Sequence, residues 1–225
     1  MKKVNIPAPR TFTNGEVVCE YKDECNEWDS HPQGVVIREG SGYQKRFFLN
    51  GDKLLYEGDS SGWDSHPQGV VIGSRDLLQG YRLLLNGTKL LYKNKEWFDW
   101  HSHPKGVVIQ IEKQLLLNGT KLLYEGSLDD WGPHPQGAVI LKGDRFLLNG
   151  TQLLYKGECH DWRVHPRGVV ILKGNRFLLN GKELLHEGEC SAWNSHSTGV
   201  IVRQGGIWRF HCATPPVSRF DEAFV

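Results

Sequence analysis

An all-β chain closed into a ring of six repeated sheets is what this sequence predicts, and three observations predict it. A Trp-x-x-His string recurs six times, turn residues fall at fixed offsets from it, and the two chain ends read as pieces of one unit. The repeat comes first because a period of 20–50 residues decides the architecture. Its copies are Trp28/His31, Trp63/His66, Trp100/His103, Trp131/His134, Trp162/His165 and Trp193/His196. The Trp-to-Trp spacings are 35, 37, 31, 31 and 31. Pro follows the His in five copies, and Ser197 takes its place in the sixth. A Gly always stands three residues after the His (Gly34, Gly69, Gly106, Gly137, Gly168 and Gly199) and opens a Val-Val-Ile-like run.

Each unit reads as four strands, A to D. Trp-x-x-His is the first. His-Pro-x-Gly is a tight turn, since Pro presets φ and Gly frees it. The run Val35-Val36-Ile37 is a short β-branched strand B. Phe48-Leu49-Asn50-Gly51 with Lys53-Leu54-Leu55-Tyr56 is the C–D hairpin, because Asn-Gly favours a two-residue turn with positive φ at both positions. The Asn-Gly pair returns at 86, 118, 149 and 180. Apolar residues are consecutive rather than alternating, which implies sheets covered on both faces. A sheet of about 31 residues cannot cover itself, but stacked copies cover one another. Antiparallel hairpins disfavour a parallel β-helix.

The sixth unit starts at Trp193, passes Gly199-Val200-Ile201-Val202 and Ile207-Trp208-Arg209-Phe210, and lacks a fourth strand. Asn14-Gly15-Glu16-Val17-Val18-Cys19-Glu20-Tyr21 supplies it, with Tyr21 seven residues before Trp28 as Tyr56 is before Trp63. Sharing one sheet between the ends is how a propeller hides its edges. The expectation is a single six-bladed β-propeller domain over residues 1–225, of roughly 24 short strands. Its closing strand is 14–22, its blades start near 28, 63, 100, 131, 162 and 193, and a C-terminal tail occupies 213–225.

With those residues in view, Trp-x-x-His-Pro-x-Gly followed by a β-run resembles the Trp-Ser-Pro-Asp-Gly turn of TolB-type, WD-repeat-like propeller blades. The resemblance covers residues 14–212. His stands for the Ser, Gln, Lys or Arg stands for the Asp, and the blades are shorter than that family's. It implies an interaction platform; the family's hydrolases carry a separate catalytic domain, for which this chain has no room.

Composition narrows function by exclusion. The chain has 225 residues, 39% hydrophobic and 24% charged, with a formal net charge of +1. That balance argues against a nucleic-acid partner, which favours strongly basic chains. No apolar run approaches about 18 residues, so no membrane span or membrane partner is expected. Met1-Lys2-Lys3-Val4 has no apolar stretch behind it and does not read as a secretory signal. Five Cys without a signal point to free thiols and a cytoplasmic location. Gly-x-Ser-x-Gly, His-Glu-x-x-His, a phosphate-cradling Gly loop and a calcium loop are all absent, so no catalytic residue, no metal and no cofactor is assigned. The chain is read as a non-enzyme and a monomer.

The six Trp are expected to fill the gaps between blades, and the six His to hydrogen-bond within the A–B turns. Binding is expected where the repeat departs from itself. The A–B and C–D turns on one face are nearly invariant, while the B–C and D–A links on the other face vary. The B–C links of blades 1 and 2 are longer, and the D–A link into blade 3 gains a residue, as Asn94-Lys95-Glu96-Trp97-Phe98-Asp99. These departures gather Tyr43, Tyr81, Trp97, Phe98 and His101 in one sector, where exposed aromatics suit a protein, a peptide or a glycan. The D–A links also carry acids close to the channel, including Asp99, Asp130 and Asp161, whereas the B–C links are basic. The leading reading is a binding scaffold that engages a protein or peptide on the variable face. Three others stay open: a multivalent lectin with one sugar site per blade junction, a hydrolase or isomerase at the channel mouth, and a recently amplified or engineered repeat without a selected ligand.

Overall fold

A computed structural model of the chain describes residues 13–20, 27–40, 44–76 and 80–212. It is all-β, with six antiparallel sheets of four strands each. In blade 1 the strands run Glu27–His31, Gly34–Glu39, Lys45–Leu49 and Lys53–Gly58, hydrogen-bonded in that order. The A strands of the other blades are Gly62–His66, Asp99–His103, Asp130–His134, Asp161–His165 and Ala192–His196. Each touches the A strand on either side, and the last touches the first, so the ring is closed around a channel. The expected fold, a six-bladed β-propeller, is what the chain forms.

Closure uses both ends. Val17–Glu20 pairs antiparallel with Ile207–His211, outside Gly199–Gln204 and Ala192–His196. The closing strand starts at Val17 rather than at Asn14, and residues 21–22 of its expected span lie outside the described residues; before it, Gly15 N–H donates to Phe210 O, and Asn14 Oδ1 accepts from Cys212 N–H. The tail 213–225 and Tyr21 lie outside the described residues.

Strand B is the most buried element of every blade. Val35, Val36 and Ile37 are fully inaccessible, as are their counterparts around the ring. Consecutive apolar residues fit a strand covered on both faces by neighbouring blades. Strand D departs from that expectation. Its first Leu faces solvent at Leu54, Leu90, Leu122, Leu153 and Leu184, because D is outermost and has no further strand beside it.

The repeat Trp residues fill the junctions as expected. Each packs backward on strand C of the preceding blade: Trp63 on Phe47 at 5.1 Å, Trp162 on Phe146 at 5.2 Å and Trp193 on Phe177 at 5.0 Å. Trp28 meets Trp208 at 3.6 Å across the seam. The Tyr of strand D packs forward instead, over the Asn-Gly turn of the next blade. A Cβ on Gly87 would lie 2.2 Å from Tyr56, so only Gly fits beneath the ring.

The invariant face is held by two interlocked turns. Asn50 adopts φ 56° and Gly51 φ 83°, the positive pair expected of Asn-Gly, although Leu49 pairs with Lys53 so that the loop is three residues long. Asn50 Oδ1 accepts Val35 N–H at 3.0 Å, and its Nδ2 donates to Gln33 O at 3.0 Å, tying the C–D turn to the A–B turn. The same clamp forms at Asn86, Asn118, Asn149 and Asn180. The six His complete it. His31, His66, His103, His134, His165 and His196 each accept on Nδ1 the backbone N–H two residues on, and all six are buried.

Candidate functional site

The channel opens on the variable face into a cavity of about 800 Å³. On the invariant face it narrows to about 180 Å³ within a collar that includes Pro32, Pro104, Pro135 and Pro166. The larger mouth is lined by the two residues between Trp and His of each A strand, and there the repeat stops repeating. The residue after each Trp is Asp29, Asp64, His101, Gly132, Arg163 and Asn194 in turn; the next is Ser30, Ser65, Ser102, Pro133, Val164 and Ser195. Blades 6, 1, 2 and 3 present a polar arc, and blades 4 and 5 an apolar one with Arg163 at its edge.

The polar arc is one hydrogen-bonded row. Strand A is innermost, so its inner edge carries backbone groups without a partner strand. Asp29 Oδ2 accepts Ser65 N–H at 3.1 Å, and Asp64 Oδ2 accepts Ser102 N–H at 2.8 Å, each reaching into the next blade. Asp29 Oδ1 accepts Ser30 N–H at 2.7 Å and Asn194 Nδ2–H at 2.5 Å. Asp29 and Asp64 are hydrogen-bonded to each other, and His101 Nδ1 lies 3.3 Å from Asp64 Oδ2.

These contacts divide the charge. Burial, with the charge of Asp64, pushes Asp29 well above the usual carboxylate range. Burial also works to raise Asp64, but the hydrogen bond and charge of His101 bring it below that range. Burial works to lower His101, and Asp64, Asp99 and Asp29 raise it nonetheless. The contacts therefore favour the neutral form at Asp29, the carboxylate at Asp64 and the imidazolium at His101. The six turn His behave oppositely. Burial pushes all of them down, His31 and His165 to about 4, and they stay neutral.

Of the residues expected to share one sector, Tyr81 and Trp97 lie together. Trp97 is 65% exposed and stands edge-on to Tyr81 at 5.2 Å, with the Arg75 guanidinium 5.4 Å from the Tyr81 ring. Phe98 corrects the expectation of an exposed pair. It is 4% exposed and sits against Tyr92 at 5.0 Å, in the core between blades 2 and 3. His101 belongs to the channel mouth rather than to the aromatic patch. Tyr43 lies outside the described residues.

The acids expected around the channel serve several ends. Asp99 and Asp130 are exposed, each taking the N–H of the following Trp. Asp161 is engaged by Arg163 at 2.7 Å and by the Trp193 indole N–H at 3.0 Å. Glu27, on the D–A link into blade 1, takes the Trp63 indole N–H at 2.7 Å and pairs at 2.8 Å with Arg38 of strand B. Asp29, Asp64, Asn194 and Arg163 were missed by sequence reasoning. The signal was one column of the repeat with six entries of five different kinds beside a column of six Trp.

Among the described residues no three His, Cys, Asp or Glu side chains are grouped so as to hold a metal ion, and Cys159, Cys190 and Cys212 are free thiols. Among the described residues no helix is long and apolar enough to cross a membrane. No protein-family model matches the chain, and no curated protein matches it either. The TolB-type likeness therefore remains one of the repeat motif alone.

Proposed function

We propose that this propeller is a non-enzymatic binding scaffold that engages a protein or peptide on its variable face, with Trp97 as the anchor. The observation that carries the reading is the Trp97 patch. It stands on the one D–A link that gains a residue, its indole is more exposed than any other large apolar side chain among the described residues, and Tyr81 and Arg75 support it from below. Trp, Tyr and Arg are the residue types that dominate binding energy at interfaces. A rigid ring that presents one irregular loop needs little reordering to bind. The TolB-like motif supports the same platform role, and free thiols suit a monomer working in the cytoplasm.

A lectin with six equivalent stacking sites is less well supported, because the repeat Trp rings pack on the preceding blade and are unequally exposed; Trp131 and Trp193 are 4% and 7% exposed, whereas Trp28, Trp63, Trp100 and Trp162 keep more of their surface. The test is affinity capture by immobilised wild type and by Trp97→Ala, with each captured protein then purified and titrated against both. Truncation of a hot-spot Trp costs about 2 kcal/mol or more, or about 30-fold in affinity. Equal affinity for both chains removes the proposed anchor. A glycan ligand with a stoichiometry near six per chain overturns the single-patch reading.

A further inference from the structure

The channel mouth lies apart from the Trp97 patch and has a chemistry of its own. Asp29 and Asp64 look at first like a seat for a cation, but their acceptor positions are occupied. Between them they take the N–H groups of Ser30, Ser65 and Ser102, the Asn194 amide, His101 and each other. Their work is to satisfy the inner strand edge. His101 holds the equivalent place in blade 3, but the residue it faces in blade 4 is Pro133, which has no N–H to cap. His101 is thereby released from edge duty. Its Nδ1 is anchored on Asp64, its side chain is 45% exposed, and its Nε2 edge is left to the cavity.

Next to His101 the wall changes character. Pro133, Val164 and Trp162 form the apolar arc, and Val164 closes over Gly132, where a Cβ would lie 2.6 Å from Val164 Cγ2. Trp131, 4% exposed and 5.0 Å from the His101 ring, has a buried indole N–H with no partner, although other repeat Trp residues donate theirs to an acid. Ser65 Oγ, in the polar arc, is likewise buried without a partner. What is left open to the cavity is the Nε2 edge of His101, set beside an apolar surface. Arg163 adds positive charge at the far edge of that surface, shared with Asp161.

We propose that the channel mouth is a binding site for a small organic acid, its carboxylate on His101 Nε2–H and its apolar body against Pro133, Val164 and Trp162. A charge-assisted hydrogen bond holds the head group, and a concave, partly apolar cavity of this size suits a small ligand. Asp130, exposed on the same rim, and the Asp64 carboxylate behind His101 are charges that oppose it, while Glu27 on the same lining is paired with Arg38.

The test compares benzoate, benzyl alcohol and benzylamine, which share an apolar body and differ in head group. Each is titrated into the full chain at constant ionic strength, by calorimetry and by NMR of the His101 imidazole. Benzoate is expected to saturate, to shift the His101 resonances and to bind about tenfold tighter than benzyl alcohol. His101→Gln is expected to remove that advantage, and Asp130→Asn to strengthen benzoate binding two- to threefold. Val164→Ser, a mild change, is expected to weaken all three probes together. No saturable response to benzoate, equal binding of benzoate and benzyl alcohol, or tighter binding of benzylamine overturns the proposal. Trp97→Ala is expected to leave benzoate binding unchanged, so this site and the partner-binding patch stand or fall separately.

Discussion

Lowering the pH below neutrality should destabilise this protein through its turn histidines. Each of the six accepts a backbone N–H on Nδ1, and an imidazolium cannot accept. His31 and His165, 3% and 1% exposed, are pushed by burial from 6.5 to about 4. In the unfolded chain they return to the ordinary value, so between pH 6.5 and 4 the unfolded state binds more protons. Stability is therefore full above pH 6.5 and falls with pH down to 4. One pH unit of difference is worth ~1.36 kcal/mol, so each of these two sites contributes about 3 kcal/mol in all. Near pH 5.5 the pair gives a slope of about 2 kcal/mol per pH unit. His66, His103, His134 and His196 act in the same direction. Asp29, raised in the folded state, opposes them by binding its proton more tightly when folded. The assay is the urea midpoint of Trp fluorescence, measured from pH 7 to pH 5. His165→Asn should lower the starting stability and reduce the slope by ~1 kcal/mol per pH unit. A midpoint that is flat across this range, or a slope that His165→Asn leaves unchanged, refutes the assignment of neutral, turn-bonded imidazoles.

Three further outcomes follow from the packing. Asn149→Ala removes the bonds to Ala138 N–H and Gln136 O and leaves Ala at φ 51°, a loss of about 2–3 kcal/mol, or about 5–10 °C in Tm by calorimetry; Asn149→Gly should recover the backbone part. Gly34→Ala should cost about 3 kcal/mol in chemical denaturation, since its φ is 142° and the added Cβ would lie 1.8 Å from Asn50 Oδ1. Phe98→Ala should destabilise by about 3–5 kcal/mol, while Trp97→Ala stays within about 0.5 kcal/mol by the same measurement, which separates the buried ring from the exposed one.

The ring was legible because its determinants are local and repeated. Asn-Gly, His-Pro-x-Gly and Val-Val-Ile each specify a backbone state or a burial state on their own, and six copies average away ambiguity. The junction roles of Trp28 to Trp193 followed from size alone. The channel mouth was not legible in the same way, because repetition draws the eye to what stays constant. Asp29, Asp64, His101 and Asn194 occupy a column that packing leaves free, and their meaning depends on which N–H of the next blade lies opposite. That is a register fact, visible only once strand A of one blade is set beside strand A of the next. Phe98 turned inward for a similar reason. Its link enters strand A one residue late, so of two adjacent aromatics the second reaches the core and the first is left outside.

The junctions have a direction. Among the described residues every blade offers a Trp backward, and blades 1 to 5 offer a Tyr or His forward, so a blade's two sides are unlike and fit each other rather than themselves. Such a contact is heterologous, and a heterologous contact either closes or grows without limit. Here one polypeptide contains the full set of units and closes on itself, but the blades have no means of counting. A stretch holding three consecutive blades would carry one free front and one free back, which is the complement of an identical stretch. By this logic two such half-rings rebuild the circle as a dimer, and the channel they enclose would then repeat its lining twice in place of the uneven one that the single chain achieves.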